Sequence, residues 1–498
     1  MKAFVAAALL AAVSGTALQA QEMPADSTAD WSAEQWSAAA RSDVLESYRQ
    51  FIENHPGVYD LDNPGFLEQL GEARAAGLAA ADDASDRLGY DLALARFSAV
   101  LADGHAKAYT PGSANSADAP RYWPGFVALW RGEQLLVRTE DEASRLHGAS
   151  ITACEGEPIA DFLPERLVVS GFRPKELGQW WVRPSQLFYS IGEVATHQPR
   201  SCTFAYRDGS SETVELDWQT PTQAQRNFYG ASVYPVAEPL GLHEPREGVF
   251  VIGLGNFQPD DEGRAAYEAL YSEVEARRDE LRAARAIVID MRGNNGGSSQ
   301  WSARLAALLW GEEALQSRYM GADAIDWRAS PETIAYLGEM QAEFVRKDEQ
   351  QMAQWVGMAI AGMQASLDAG EPLWRQTDGE EEEEGQTERV IAPTDFTAPV
   401  YVINWGMCAS ACLDANDYFK LFDNTKLIGA PTSADSTYME VRGVKLPAGP
   451  GWLTIPNKTW VGRPRGWGEI YEPDIVMDQL DWSTEAFLNR IEADLAAG

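Results

Sequence analysis

Three short segments of the 498-residue chain hold residues able to do chemistry. In Cys408-Ala409-Ser410-Ala411-Cys412 a serine stands between a buried-type strand, Val400 to Ile403, and a helical stretch, Ala411 to Phe422. A hydroxyl at that junction is presented at the carboxyl edge of a sheet, with the Ala411 N–H beside it as an oxyanion donor. The competing role for such a serine is an N-cap. In Asp290-Met291-Arg292-Gly293-Asn294-Asn295-Gly296-Gly297, glycines after a second buried strand free backbone N–H groups to face an anion, or simply supply a turn that needs positive φ. In Leu101-Ala102-Asp103-Gly104-His105 an imidazole sits in a turn, a proton acceptor suited to neutral pH. The G-x-G-x-x-G spacing of a dinucleotide site is absent from the glycine segment.

These segments need elements to position them. From Trp31 to about Ala102 the apolar spacing is helical, with Val44, Leu45, Tyr48, Phe51 and Ile52 on one face. From Trp123 to Trp218 short β runs take over, interrupted by a helical insert around Phe162 to Val194 and closed by a hairpin turning at Asp208-Gly209. From Gly248 the pattern is βα: strands at Val249 to Ile252, Ala286 to Asp290 and Val400 to Ile403, and helices at Glu262 to Leu281 and Ser299 to Trp310. A helical insertion over 311–378 precedes an acidic loop, 379–390, whose glutamate run Glu380 to Glu384 reads as a solvated segment without function.

Composition narrows the function. A net charge of −35 repels phosphate backbones and anionic lipids, which argues against nucleic acid as a partner. Residues 1–20 read as a signal peptide, with Lys2, an apolar run from Ala3 to Val13 and small residues near Ala20, and no later run is long enough for a transmembrane segment. The expected location is periplasmic or secreted. In such a compartment Cys154, Cys202, Cys408 and Cys412 are disulfide candidates. Cys154 and Cys202 fall at a strand end and a strand start of the β module and are expected to pair, leaving Cys408 and Cys412 on either side of Ser410. No metal site is expected, since His55, His105, His147, His197 and His243 lie far from the cysteines in sequence. No cofactor is expected either.

The order of these segments, followed by Ile428-Gly429-Ala430-Pro431-Thr432, Leu446-Pro447-Ala448-Gly449 and Pro473-Asp474-Ile475, resembles the tail-specific (C-terminal-processing) serine peptidases over about His55 to Val476. The resemblance implies an α/β fold with a ClpP/crotonase-type spiral core over 230–490, an N-terminal helical region over 30–110 and a PDZ-like β module over 120–218. Glu155-Gly156-Glu157-Pro158-Ile159 matches the signature turn of the PDZ-like domain. Better-known members carry a catalytic lysine in a Pro-Thr-Phe-Gly-Lys stretch; this chain has Pro431-Thr432-Ser433-Ala434-Asp435, so a carboxylate stands in the lysine's place. That departure points to the tricorn-like and retinoid-binding-protein-like branch, with His105 as the base. The serine that precedes the histidine in tricorn-type members is here Gly104. A late glutamate supports the base in that branch, and Glu469 matches it better than Glu472, which abuts the Pro473 turn.

The implied activity is that of a serine-type endopeptidase acting on polypeptide or peptide substrates. Ser410 attacks the carbonyl, His105 takes its proton, and the Ala411 and Gly296 N–H groups hold the oxyanion, with Gly297 as the alternative donor. Two rivals stand beside it: a catalytically inactive peptide-binding protein of the same fold, and a crotonase-type acyl-CoA enzyme suggested by fold alone. Lys426 and Lys445 are the bases to consider if the mechanism were a rearranged Ser-Lys one.

Overall fold

A computed structural model describes residues 28, 30–111, 121–191, 198–376 and 390–497. The expected signal segment and all but the last residue of the acidic loop lie outside these residues. The chain is a mixed α/β protein whose contacts group into two compact units: residues 30–111, 320–376 and 435–468 form the first, and residues 121–319, 390–434 and 469–497 the second. Among the described residues no helix is long and apolar enough to cross a membrane.

The second unit is built on a parallel sheet. Val249–Gly253, Ala286–Asp290 and Val400–Asn404 are buried at every position, as expected for strands covered on both faces. They lie side by side in that order and continue into Thr425–Gly429 and Ile475–Val476, while Gly241–Arg246 closes the other edge antiparallel. Gly253 pairs with Asp290, Asp290 with Ile403, and Asn404 with Gly429, so the central strands end level. The turns that follow Asp290 and Asn404 therefore leave the same edge. The helix expected over Glu262 to Leu281 breaks at Arg277 into Asp261–Ala276 and Arg278–Arg282. The helix after Ser410 ends at Phe419, because the Leu421 and Phe422 N–H groups turn back to the carbonyls of Tyr418 and Phe419. That turn stacks Phe422 on Trp310, ring centroids 4.5 Å apart.

The same unit carries an antiparallel sheet of Val127–Arg131, Gln134–Arg138, Ser150–Cys154, Ser201–Ala205 and Ser211–Glu215, with Glu157–Pro158 folded back on Ser150–Cys154. Glu155 and Gly156 make that reversal with φ of 53° and 83°. Cys154 lies opposite Cys202 in register, and the two form a disulfide. Phe126, Ile151, Phe162, Leu163, Phe188 and Phe204 fill the core between this sheet and the helices Ile159–Arg166 and Pro184–Phe188.

In the first unit Ala33–Asn54, Phe66–Asp82 and Arg87–Leu101 pack around Val44, Phe51, Leu70, Leu94 and Phe97. Ser32 and Gln35 close the first helix with a capping box. Against these helices lies a sheet in which Trp452–Val461 is central, pairing with Lys107–Tyr109, Ala324–Arg328 and Tyr438–Lys445. The segment 311–378 is therefore not wholly helical. Helices Glu312–Arg318, Pro331–Arg346 and Gln350–Asp368 are interleaved with strands Ala324–Arg328 and Leu373–Arg375. Five- and three-residue strands are too short to impose a two-residue period on long helical flanks, which is why the pattern hides them.

Candidate active site

The turn after Val400–Asn404 delivers Ser410 in an unusual backbone conformation, φ 55° and ψ −130°. An N-cap residue has extended φ and ψ and its side chain accepts from the helix it caps. Ser410 does neither: it makes no capping hydrogen bond to Ala411–Phe419. The strained geometry is that of a sharp strand-to-helix elbow, which lifts a hydroxyl clear of the backbone. Ser410 is partly exposed, and Ala411, the first helical residue, has its N–H outside the helical ladder.

The glycine turn lies directly against this elbow. A Cβ on Gly296, whose φ is 108°, would come within 2.7 Å of the Ala409 carbonyl oxygen and 2.8 Å of the Ser410 Cβ. Trp405 Nε1 donates to the Asn294 carbonyl at 2.7 Å and ties the two turns together. Asn294 Nδ2 in turn donates to the Leu254 carbonyl at 2.9 Å, while its Oδ1 accepts the Gly296 N–H at 2.9 Å. That last bond corrects one expectation. The Gly296 N–H is committed to Asn294, and what Gly296 contributes is the absence of a side chain beside Ser410. Gly297 pairs with Phe257 in a bridge that uses the Gly296 carbonyl and the Ser298 N–H, so the Gly297 N–H lies outside it.

Asp290 and Arg292, which open the same turn, are structural. Arg292 Nη2 reaches Asp290 Oδ2 at 2.6 Å with both side chains fully buried, and Arg292 also donates to the Trp482 carbonyl and to Thr484 Oγ1. Asp290 Oδ2 further accepts the Glu238 N–H. A buried pair with its remaining polar atoms satisfied fixes the start of the turn.

His105 belongs to the first unit. The helix Arg87–Leu101 ends at Ala102 in the left-handed region, and the chain turns through Asp103 into Lys107–Tyr109. Asp103 Oδ1 accepts the His105 backbone N–H at 2.8 Å, and its Oδ2 accepts Ser436 Oγ at 2.8 Å. Asp103 thus holds the turn through its main chain; the imidazole Nδ1 stands 3.9 Å from Asp103 Oδ1, beyond hydrogen-bond range. Glu469, in the second unit, and Glu472 are both exposed.

Asp435 is buried and pairs with Arg465 at 3.5 Å. Exposed Lys426 lies on Thr425–Gly429 three residues before the carboxyl end and pairs with half-buried Asp494 at 2.7 Å. Lys445 is exposed. Lys458 escaped the sequence reading. It is buried 3.9 Å from Glu440 and lies over the Trp327 ring, where burial pushes its amine below the ordinary lysine range and Glu440 opposes the shift.

Two motifs turn out to be scaffolding, and their partners also escaped it. Buried Asp43 accepts the Ala448 and Gly449 N–H groups at 2.9 and 2.8 Å and the Tyr90 hydroxyl at 2.6 Å, which anchors Leu446-Pro447-Ala448-Gly449. Asp474 accepts the Leu427 N–H at 2.7 Å and so sets Ile475–Val476 beside Thr425–Gly429. Cys408 and Cys412 form a disulfide across Ser410, with Cα atoms 5.3 Å apart.

No family model matches the chain, and no curated protein matches it. Among solved structures, the chain is similar to mature CPAF at 13% identity, over 92% of this chain and 98% of that one, with a TM-score of 0.57. It is likewise similar to mature CPAF complexed with lactacystin, at 12% identity, the same coverage and a TM-score of 0.56. The photosystem II D1 C-terminal processing protease aligns over 89% of this chain and 95% of that one at 12% identity, with a TM-score of 0.34. The chain thus has the fold of mature CPAF.

Proposed function

We propose that this protein is a serine peptidase that cleaves polypeptide or peptide substrates through an acyl-enzyme. The observation that carries the reading is the positive-φ elbow that presents an uncapped Ser410 hydroxyl against a side-chain-free turn. Ser410 Oγ attacks the substrate carbonyl as His105 takes its proton, and the proton is then given to the leaving amine. The Ala411 and Gly297 N–H groups stabilise the oxyanion, and water releases the acyl group. Glu469 supports His105. The fold is shared with mature CPAF, which is also known complexed with lactacystin.

In this reading the parallel sheet and its helices are a ClpP/crotonase-type core, the antiparallel module is PDZ-like, and the protein works outside the cytoplasm, where its two disulfides persist. The Ser-His branch of the tail-specific peptidases is favoured over a Ser-Lys mechanism by Asp435 in the lysine's place and by the surface positions of Lys426 and Lys445. Hydrolysis of a quenched fluorescent peptide mixture by the wild type, Ser410→Ala and His105→Ala tests it. Both variants should lose about 10⁴-fold or more in kcat/KM, and the double variant little more, since residues acting as one unit are not additive. Near-wild-type activity in Ser410→Ala would leave the binding-protein alternative.

A further inference from the structure

We infer that the Cys408–Cys412 disulfide is a positioning device for Ser410, so that the peptidase acquires full activity only when this bridge is closed. The inference rests on reading Ser410 as the nucleophile. Ser410 carries a side chain in a left-handed conformation that L residues avoid, and it has no capping bond to offset the cost. Something in the surroundings must over-determine it. The bridge closes a five-residue ring with Ser410 at its centre, and both sulfur-bearing residues are fully buried.

The ring is itself anchored at both ends. Asn416 Nδ2 lies 3.6 Å from Cys408 Sγ and 3.0 Å from the Cys412 carbonyl, and Asn416 and Asn404 exchange side-chain amide hydrogen bonds at 2.8 and 3.1 Å. The last residue of the strand, the bridge and the helix are thereby joined into one buried network. The Cys408 N–H reaches back to the Trp405 carbonyl, and within the ring the Cys412 N–H reaches the Ala409 carbonyl. With the bridge open, residues 408–412 keep these two backbone bonds, the Asn416 contacts and the helical start but lose the covalent tie across Ser410, and Ser410 can relax towards an ordinary N-cap, where its hydroxyl turns to the helix instead of the substrate.

Bridge closure is a thiol–disulfide exchange: the two thiols give two electrons and two protons to a disulfide oxidant such as oxidised glutathione, which leaves as two thiols. A chain made in a reducing compartment would therefore hold its nucleophile in the unproductive conformation until it met an oxidant.

The test compares three preparations of the full chain: oxidised wild type, wild type made and kept in reductant, and Cys408→Ala/Cys412→Ala. Each is scored for the rate of fluorophosphonate labelling at Ser410, for kcat and KM on a peptide, and for its thermal melt. The expected result is labelling slowed by about tenfold or more in the reduced protein and in the double variant, with kcat lowered and KM nearly unchanged. Oxidised glutathione should restore the reduced wild type and leave the variant slow. Cys154→Ala/Cys202→Ala, which removes the other bridge, should keep its labelling rate and its recovery on oxidation. Should either double variant fail to fold, the recovery of reduced wild type decides alone. Equal labelling of reduced and oxidised wild type, with peptide mapping showing Cys408–Cys412 open in the first, would overturn the inference and leave Ser410 as nucleophile. No labelling of oxidised wild type would overturn both.

Discussion

The two turns that leave the carboxyl edge of the parallel sheet solve one geometric problem with different residues. After Asp290 the chain bends through Gly293, Gly296 and Gly297, with φ of 81°, 108° and 134°, which glycine adopts without side-chain strain. After Asn404 it bends through Ser410 at φ 55°, where the Cβ costs about 1–3 kcal/mol. Glycine serves where only the backbone is wanted; a strained serine persists where the side chain is wanted. The bracing follows the same division. The glycine turn is held by Asn294 and by the Asp290–Arg292 pair, the serine turn by a covalent ring and the Asn404–Asn416 pair.

The sharpest way to break this comparison is to give the first turn a side chain. Gly296→Ala puts a methyl group against the Ser410 Cβ and the Ala409 carbonyl, so kcat/KM should fall by about 10²-fold, the scale of a misplacement near the reacting atoms. Peptide kinetics check it. Asp290→Ala leaves Arg292 buried without its partner and should lower the denaturant stability of the protein by about 3–5 kcal/mol, read by urea titration.

A third prediction separates acid effects on stability from those on catalysis. Fully buried His55 accepts the Gly57 N–H, and burial lowers its pKa to about 3, with Arg442 adding to the shift. The unfolded chain binds this proton near pH 6.5, so the His55 contribution is complete above that pH. It is lost as pH falls from there towards about 3, by up to about 1.4 kcal/mol per pH unit. His55→Asn should flatten the wild-type loss of stability between those limits, measured by melts across pH, while leaving kcat/KM at neutral pH unchanged. The smallest effect belongs to Lys426→Met. Its ion pair with Asp494 is on the surface, and activity should change by less than about twofold. A large loss there would revive a Ser-Lys mechanism.

Strands with long buried runs were legible: Ala286–Asp290 has the bounds its sequence predicts, and Val249–Gly253 and Val400–Asn404 each extend it by one residue. Ala324–Arg328 and Leu373–Arg375 were not, because strands that short are defined by the partners Trp452–Val461 and Ala324–Arg328, not by their own pattern. The pairing of Cys154 with Cys202 could be read from strand positions. At the candidate site, residue types pointed to Ser410, but its backbone conformation has no sequence signature, since serine is not a residue that favours positive φ. The roles of Asp43, Asp474 and Asn294 were hidden for another reason. Each binds backbone N–H groups, and such partners carry no side-chain signal.

The central claim is that Ser410 is an activated nucleophile, and the most direct measurement is the site of covalent modification by a fluorophosphonate on the oxidised, native protein. The account predicts one adduct per chain, mapped by tandem mass spectrometry to the peptide bearing Ser410, abolished in Ser410→Ala and strongly slowed in His105→Ala. A native chain that stays unmodified, or that carries the adduct on another residue, would contradict it.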